Sequence, residues 1–391
     1  MTMLTGYGPL RKARALSWAC WLTCLLTACT GPADRQPEVE RKRSFMMSEG
    51  TMEVSLQDAR LRWWGRMDRH VPDTVRMAWT GCQLVLACEA DTLCLKLHSE
   101  PGELAPDGQP WPVYLTVLID SLPPQVHAIR PDTRLLRLPL GPGAHQVRVF
   151  KRSEALTGTL VLHGLALRPA GQLLDLPPRP ARHLEVIGNS ITAGYGNLGQ
   201  DRDCDFSAAS QDGYQAYGAL AAQALGWAYT SVCYSGRGIL VNYDGSRRGT
   251  LLELYQQVLA DPTGPTYDFT GPAPDVVAIN LGTNDFAGRT PAQAAFVRQY
   301  LALCRLIRQH YPQARLLLLS SPMLTGRALA LQRQYLDAAA DTLRAEGETR
   351  IHRLDLTPQG PLGYGCDWHP NLAQHQRNAR ELADYLRRRV D

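Results

Sequence analysis

Two short blocks of this sequence contain a potential nucleophile and a potential base. Ser190 follows the apolar segment His183–Ile187, and His369 lies in a loop before the last helical segment. A serine hydroxyl is a weak nucleophile, and an imidazole that titrates near neutral pH can accept its proton. The pair therefore predicts attack on an acyl carbonyl, whereas a purely structural role would make Ser190 a helix N-cap.

Two further blocks predict donors for the negative charge that such an attack creates. The block YSGRG exposes the main-chain N–H of Gly236, since glycine lacks a Cβ, and the block GTND offers the side-chain amide of Asn284. With the N–H of Ser190, these groups form a predicted oxyanion hole. We predict that Asp285 braces its loop instead of joining the chemistry, because its charge would oppose a developing oxyanion.

The loop GCDWHPN contains further candidate residues. Asp367 precedes His369 by two residues, so either its carboxylate orients the imidazole, which we favour, or a backbone carbonyl does so. Trp368 and Asn189 are predicted to contact the substrate. Cys366 and His369 alone offer two ligands where zinc usually takes three or four from a protein, so we predict no metal and no other cofactor.

After residue 182 the sequence alternates between strand and helix patterns, which predicts a five-stranded parallel sheet in a three-layer α/β/α sandwich. The carboxyl ends of parallel strands meet at one edge of a sheet, where ligands bind. The predicted strands are His183–Ile187, Ala228–Val232, Asp275–Leu281, Arg315–Leu319 and Arg350–Leu354, and the predicted helices are Tyr214–Leu225, Pro291–His310, Arg327–Glu346 and Asn371–Arg388. This topology would bring the chemical blocks together.

The preceding region, residues 48–170, is predicted to be a β-sandwich, because short apolar or alternating segments are separated by Gly, Pro and Asp. Residues 171–182 are rich in proline and are predicted to be a linker to the catalytic domain, residues 183–391. Trp63, Trp64, Trp79 and Trp111 could stack on sugars, but packing in the core or between domains is favoured for these large apolar side chains.

The N-terminus is typical of an export signal. Arg11, Lys12 and Arg14 precede the apolar run Ala15–Leu26, which is too short to span a bilayer. The following LTAC resembles the lipobox of bacterial lipoproteins, which implies a signal peptide over residues 1–28 and acylation of Cys29. The next segment, residues 29–47, is polar and contains proline, which predicts a flexible tether. We therefore expect a lipid-anchored protein of the bacterial cell envelope, with an ordinary secretory signal as the alternative.

Composition limits the partners of the chain. The formal charge of +4 is spread over 41 basic and 37 acidic residues, which does not favour a nucleic-acid partner. Ten cysteines are present, and three of them lie at or before Cys29. The seven that follow are an odd number, so at least one thiol is expected to be free, and their pairing is left open.

The Ser190, Gly236, Asn284 and His369 blocks resemble those of the SGNH, or GDSL, hydrolase superfamily. With the segment KRSE at residues 151–154, they look more narrowly like carbohydrate esterase family 2. This narrower resemblance covers essentially the whole mature chain. This resemblance implies a jelly-roll domain before an SGNH domain. It also implies an O-acetyl esterase that acts on acetylated polysaccharide, such as xylan or glucomannan, with the sugar 6-position as one candidate.

Two departures from the superfamily pattern concern this site. Asn189 stands where the superfamily has Asp, and the usual Asp-x-x-His is shortened to Asp367-Trp368-His369. Other functions also fit parts of the pattern. A lipase or thioesterase would use the same residues with an apolar acyl channel, a transferase would move acetyl groups between sugars, and a non-catalytic carbohydrate-binding lipoprotein would not need Ser190.

Overall fold

A computed structural model describes residues 50–389 of the chain. The predicted signal peptide, the acylated Cys29 and the tether lie outside the described residues. Within residues 50–389, no helix combines the length and the apolar character that a membrane span requires. The described chain consists of two antiparallel sheets followed by a region of alternating strands and helices.

Short antiparallel strands form two sheets in the first region. The first sheet has the strand order β1-β10-β5-β8, and β3 also pairs with β10. The second sheet has the strand order β11-β4-β9-β6-β7, and β2 also pairs with β4. The strands are β1 (Met52–Val54), β2 (Arg62–Trp64), β3 (Val75–Met77), β4 (Gln83–Glu89), β5 (Thr92–Pro101), β6 (Val113–Ile119), β7 (Gln125–Ile129), β8 (Leu136–Pro139), β9 (Ala144–Lys151), β10 (Gly158–Arg168) and β11 (Gln172–Leu174).

Alternation of apolar and polar residues explains why these two sheets pack together. Along β5, Leu93, Leu95 and Leu97 are buried, and they share one core with Leu84 and Leu86 of β4 in the other sheet. Successive side chains of a strand point to opposite faces, so one face of each sheet can be apolar. Burial of a leucine contributes roughly 2 kcal/mol relative to exposure. The predicted β-sandwich is therefore confirmed.

The strands of the sandwich with the weakest sequence pattern are mostly short. β1, β2, β3 and β11 have three residues each, which is too few for an alternating pattern to stand out. β11 lies at the start of the predicted linker, where Gln172 pairs with Glu89 of β4 and extends the second sheet by one strand. β7 (QVHAI) is partly exposed, and its apolar residues Val126 and Ala128 are on the exposed face.

The second region is the predicted parallel sheet, with strand order β13-β12-β14-β15-β16. Its elements are β12 (His183–Gly188), α1 (Ser190–Ala193), α2 (Tyr217–Leu225), β13 (Ala228–Cys233), α3 (Leu251–Leu254), β14 (Val276–Asn280), α4 (Gln293–His310), β15 (Arg315–Leu319), α5 (Gly326–Ala345), β16 (Ile351–Leu354) and α6 (Leu372–Arg389). The five strands and four long helices confirm the prediction within three residues at each end.

Helices cover both faces of this sheet. Leu184 and Val186 of β12 share a core with Tyr217 of α2 and Leu382 of α6, whereas Ile187 belongs to the core that contains α4 and α5. The three-layer arrangement is therefore confirmed. Helix α2 begins three residues later than predicted because the Asp212 side chain caps a separate 3-10 turn, Gly213–Gln215, in front of it.

The sandwich packs directly against the α/β region. Trp79 is fully buried, and its indole N–H donates a hydrogen bond of 2.9 Å to the carbonyl oxygen of Val258. The amide of Gln83 donates to the Tyr229 carbonyl oxygen at 2.7 Å. Trp79 is thus a packing residue between the two regions, as the favoured interpretation of the tryptophans predicted.

Candidate active site

The nucleophile candidate lies in a tight turn at the carboxyl end of β12. In the sheet, Gly188 is paired with Cys233 of β13 and Asn280 of β14, so the loops after these three strands leave the same edge. Asn189 is fully buried, and its Oδ1 accepts a hydrogen bond from the N–H of Ile191 at 3.2 Å. It therefore caps α1 and orients the turn, and contact of this buried side chain with substrate stays a prediction.

The structure brings Ser190 and His369 together although 179 residues separate them. His369 Nε2 lies 2.9 Å from Ser190 Oγ, and His369 Nδ1 lies 2.9 Å from the main-chain oxygen of Asp367. Because a carbonyl oxygen can only accept, Nδ1 carries the proton, and Nε2 is left with a lone pair for the serine hydroxyl. Burial lowers the pKa of His369 from 6.5 to about 4, which keeps the ring neutral at ordinary pH.

The favoured role of the Asp367 carboxylate is wrong, because this group does not contact the imidazole. Its Oδ2 accepts hydrogen bonds from the Tyr195 hydroxyl at 2.9 Å and from the Phe206 N–H at 3.1 Å. The backbone of Asp367 is left-handed, with φ of 50°, and that of Trp368 is left-handed too, with φ of 61°. The main-chain carbonyl of Asp367 therefore orients His369, the function that was predicted for its carboxylate.

Contacts from the loop after α1 fix the histidine loop. Cys366 forms a disulfide with Cys204, and the N–H of Asp367 donates to the Cys204 carbonyl oxygen at 3.0 Å. The Tyr195 ring lies 4.3 Å from the imidazole and is stacked on Phe206 at 4.0 Å. Neither Tyr195 nor this disulfide was predicted from the sequence. Tyr195 lies in the same glycine-rich block as Ser190, and that placement was the available signal.

The remaining cysteines of the described chain are free and buried, which confirms the expectation of at least one free thiol; they are Cys82, Cys88, Cys94, Cys233 and Cys304. The disulfide removes Cys366 as a thiolate ligand. Between residues 50 and 389, no cluster of three or more His, Cys, Asp or Glu side chains has an arrangement that could hold a metal ion.

The three predicted oxyanion donors are positioned at the same edge of the sheet. Gly236 has φ of 75°, a conformation that favours glycine. Within the described chain, neither its N–H nor that of Ser190 has a hydrogen-bond acceptor, so both are free for a ligand. Asn284 donates one amide hydrogen to the Arg237 carbonyl oxygen at 2.8 Å, which fixes the amide and leaves its second hydrogen free.

Asp285 braces the neighbouring loop, as predicted. Its buried carboxylate accepts hydrogen bonds from three consecutive main-chain N–H groups, those of Ile239, Leu240 and Val241, at 3.1, 2.7 and 2.9 Å. These bonds hold the loop that follows Gly236 and Arg237, and both carboxylate oxygens take part. Asp285 is therefore a structural residue of the site.

Aromatic side chains lie near Ser190 and His369. Trp368 is 49% exposed, its ring meets that of Tyr364 at 5.4 Å, and the Arg202 guanidinium lies 4.3 Å from its centre. Trp111 of the sandwich contacts Phe206 edge to face at 5.7 Å and so reaches the wall of the site. An exposed indole beside His369 is suited to stack against a sugar ring.

The other two candidate tryptophans lie elsewhere. Trp64 is buried, and Trp63 packs against the core with the Arg69 guanidinium 4.5 Å above its ring. Trp64 is therefore a packing residue. Trp63 is only half-buried, but it lines a cavity of about 210 Å³ whose lining includes neither Ser190 nor His369.

Comparison with known proteins places this geometry in a family. Residues 63–177 match the model of the carbohydrate esterase 2 N-terminal domain, and residues 186–377 match the GDSL-like lipase/acylhydrolase family. An acetylxylan esterase/glucomannan deacetylase of Cellvibrio japonicus is 30% identical over 264 residues, which cover 64% of this chain and 71% of that protein. The chain belongs to carbohydrate esterase family 2. The resemblance of the sequence blocks to this family is thereby confirmed.

Two further proteins are similar to this family 2 chain, one in sequence and one in structure. The cellulase/esterase CelE of Acetivibrio thermocellus is 30% identical over 329 residues, which cover 83% of this chain but only 39% of that protein. A family two carbohydrate esterase from Clostridium thermocellum, solved in complex with cellohexaose, superposes with a TM-score of 0.77 at 28% identity, covering 84% of this chain and 99% of that one.

Proposed function

We propose that this protein is a serine esterase that removes O-acetyl groups from polysaccharides such as acetylated xylan or glucomannan. The observation that carries this proposal is the contact of 2.9 Å between Ser190 Oγ and a His369 ring whose other nitrogen is held by a carbonyl. Membership of carbohydrate esterase family 2 supports the acetyl group as the one removed, because a relative in Cellvibrio japonicus is named an acetylxylan esterase/glucomannan deacetylase.

The chemistry follows from the positions of these groups. Ser190 Oγ attacks the acetyl carbonyl carbon while His369 Nε2 takes its proton, and the carbonyl oxygen becomes an oxyanion. The N–H groups of Ser190 and Gly236 and the amide of Asn284 stabilise that charge. Collapse breaks the bond to the sugar oxygen, which takes the proton from His369. Water, activated by the same base, then attacks the acetyl-serine and releases acetate.

The surroundings of the pair favour a polymeric sugar as the alcohol part of the ester. Trp368 presents an exposed ring next to His369, and Asp367 is exposed beside it, so an extended chain can approach from solvent. Aromatic rings stack on the apolar faces of sugars. The relative bound to cellohexaose supports recognition of a β-linked glucan backbone by this family fold.

Ser190→Ala tests the function. We expect wild type to release acetate from acetylated xylan or glucomannan and to prefer p-nitrophenyl acetate to the octanoate. Ser190→Ala should lose turnover by at least about 10³-fold, because no acyl-enzyme can form. Ser99→Ala, which changes a buried sandwich serine, is the matched control. Residual turnover above one tenth in Ser190→Ala would refute the mechanism, and a preference for octanoate would favour a lipase.

The proposal also includes attachment of the exported protein to a membrane of the bacterial cell envelope through Cys29. The basic residues, the short apolar run and the LTAC sequence of the N-terminus support it. Acylation of a cysteine gives a protein a hydrophobic anchor without a spanning helix. The enzyme would then act on oligosaccharides or polysaccharides at the cell surface or in the periplasm.

A further inference from the structure

The last residue of β9 and the first three residues of its connection to β10 are polar and almost completely buried. Lys151, Arg152, Ser153 and Glu154 are at most 4% exposed. Burial of a charged group costs several kcal/mol unless hydrogen bonds and opposite charges offset it. Residues of this kind are therefore expected to have specific partners, and the partners of Glu154 lie in the α/β region.

The carboxylate of Glu154 binds the residue that precedes Gly236. Its Oε2 accepts a hydrogen bond from the main-chain N–H of Ser235 at 2.7 Å, and its Oε1 accepts from the Ser235 hydroxyl. Oε1 also accepts from the amide of Gln211 at 2.8 Å. One carboxylate of the sandwich thus fixes both the backbone and the side chain of Ser235.

We propose that Glu154 is a positioning residue of the esterase: by holding Ser235, it orients the N–H of Gly236 toward the oxyanion, so that the β-sandwich completes the active site. This inference rests on the proposed function, since it assigns Glu154 a role in the same reaction. It also assigns the sandwich a catalytic contribution besides any binding of carbohydrate.

The position of Gly236 explains why its N–H needs such support. Gly236 is held on its other side by a hydrogen bond of 2.8 Å from the Tyr243 N–H to its carbonyl oxygen. Glycine has wide conformational freedom, so the donor direction depends on its neighbours. An oxyanion donor is effective only when it is preorganised, and removal of one donor typically costs about 10²–10³ in turnover. Ser235 is the neighbour that Glu154 fixes.

Further hydrogen bonds make the connection rigid. The Arg152 Nε donates to the Gln211 carbonyl oxygen at 2.8 Å, and the N–H of Gly213 donates to the Arg152 carbonyl oxygen at 3.1 Å. The Gln211 amide also reaches the carbonyl oxygen of Ala193, at the end of α1, at 3.3 Å. The carboxylate therefore belongs to a network that links the nucleophile turn with the Gly236 loop.

Glu154→Gln tests the proposal, because it keeps the size of the side chain but removes its charge and one acceptor oxygen. Turnover of p-nitrophenyl acetate is measured per active site, with Ser190 counted by a fluorophosphonate label. We expect kcat to fall about tenfold to a hundredfold with KM changed less than about threefold. Glu100→Gln, which changes a sandwich carboxylate that pairs with Arg76, should leave both values unchanged.

A tetrahedral adduct provides the second measurement. Methylboronic acid adds to the serine and places an oxygen in the oxyanion position, so its inhibition constant should rise in Glu154→Gln by the same factor as kcat falls. If Glu154 had a purely structural role, Glu154→Gln would lower only the number of Ser190 sites that react with the fluorophosphonate. Normal kcat per labelled site with unchanged boronate inhibition would overturn the inference.

Ser235→Ala keeps the test decisive if Glu154→Gln does not fold. It removes only the hydroxyl contact with Glu154, so we expect a fall in kcat of about threefold to tenfold, again matched by the boronate. No change in either value would refute the positioning role. Absence of esterase activity in wild type would refute the proposed function itself, which is a separate result.

Discussion

The imidazole of His369 is oriented by the carbonyl of Asp367 and not by a carboxylate. A carbonyl dipole fixes the tautomer, since it accepts the Nδ1 proton, but it stabilises the imidazolium less than a full negative charge would. The Asp367 carboxylate instead receives the Tyr195 hydroxyl and the Phe206 N–H. At the scale of the residue, the proposed catalytic pair is therefore Ser190 and His369, and the shortened Asp-x-His spacing has a structural explanation.

Asp367→Asn should consequently have a small effect on chemistry. The change keeps the carbonyl that holds His369, so we expect kcat for p-nitrophenyl acetate to remain within about tenfold of wild type. In the serine proteases, where the carboxylate holds the histidine, the equivalent change costs about 10⁴ in kcat. The aryl ester is used because its turnover reports the chemistry without a contribution from polysaccharide binding.

His369→Ala is the matched comparison in that experiment, and it should lose nearly all turnover because no other side chain among residues 50–389 has a hydrogen bond to Ser190 Oγ. A loss of 10³-fold or more in Asp367→Asn, with normal thermal stability, would mean that the carboxylate stabilises the imidazolium after all.

At the scale of the element, the histidine loop depends on its attachment to the loop after α1. The Cys204–Cys366 disulfide joins residues separated by 162 positions. In the chain-entropy model, closure of so long a loop stabilises the fold by about 5 kcal/mol. We expect reduction by dithiothreitol to lower the melting temperature by several degrees. It should also lower kcat about tenfold, because small displacements of a catalytic group are costly.

The double variant Cys204→Ser with Cys366→Ser provides the control. It should behave like reduced wild type and should not respond to dithiothreitol, since the other cysteines of the described chain are already free and buried. A wild-type enzyme whose kcat is unchanged by complete reduction would show that the hydrogen bonds of the loop are sufficient to hold His369.

The elements were largely predictable from sequence, and the finer contacts were not. Parallel strands share a carboxyl edge, so strand ends alone predicted that Ser190 and His369 would meet. The choice between carboxylate and carbonyl depends on the left-handed backbone at Asp367, which the residue types do not encode. The hydrogen bond between Glu154 and Ser235 joins residues that are 81 positions apart, one in the sandwich and one in the α/β region. Its only signal was a run of charged residues after an apolar strand.

At the scale of the whole molecule, the sandwich and the α/β region form one compact body. Trp79 and Gln83 of the sandwich donate hydrogen bonds to main-chain carbonyls of the α/β region, and Trp111 borders the site. Glu154 adds hydrogen bonds to Ser235, the residue before Gly236. The arrangement explains how a β-sandwich before the SGNH domain can contribute to the reaction as well as to packing.

The proposed anchor concerns where this whole molecule acts. If Cys29 is acylated, full-length wild type expressed in a bacterium should sediment with membranes and enter the detergent phase, because acyl chains supply the affinity for the bilayer. Cys29→Ser should move the protein to the soluble fraction while turnover of p-nitrophenyl acetate stays unchanged. Cys82→Ala, which changes a buried cysteine of the sandwich, should remain with the membranes. Wild type that is soluble, with a mature N-terminus other than Cys29, would refute the anchor and favour an ordinary secretory signal.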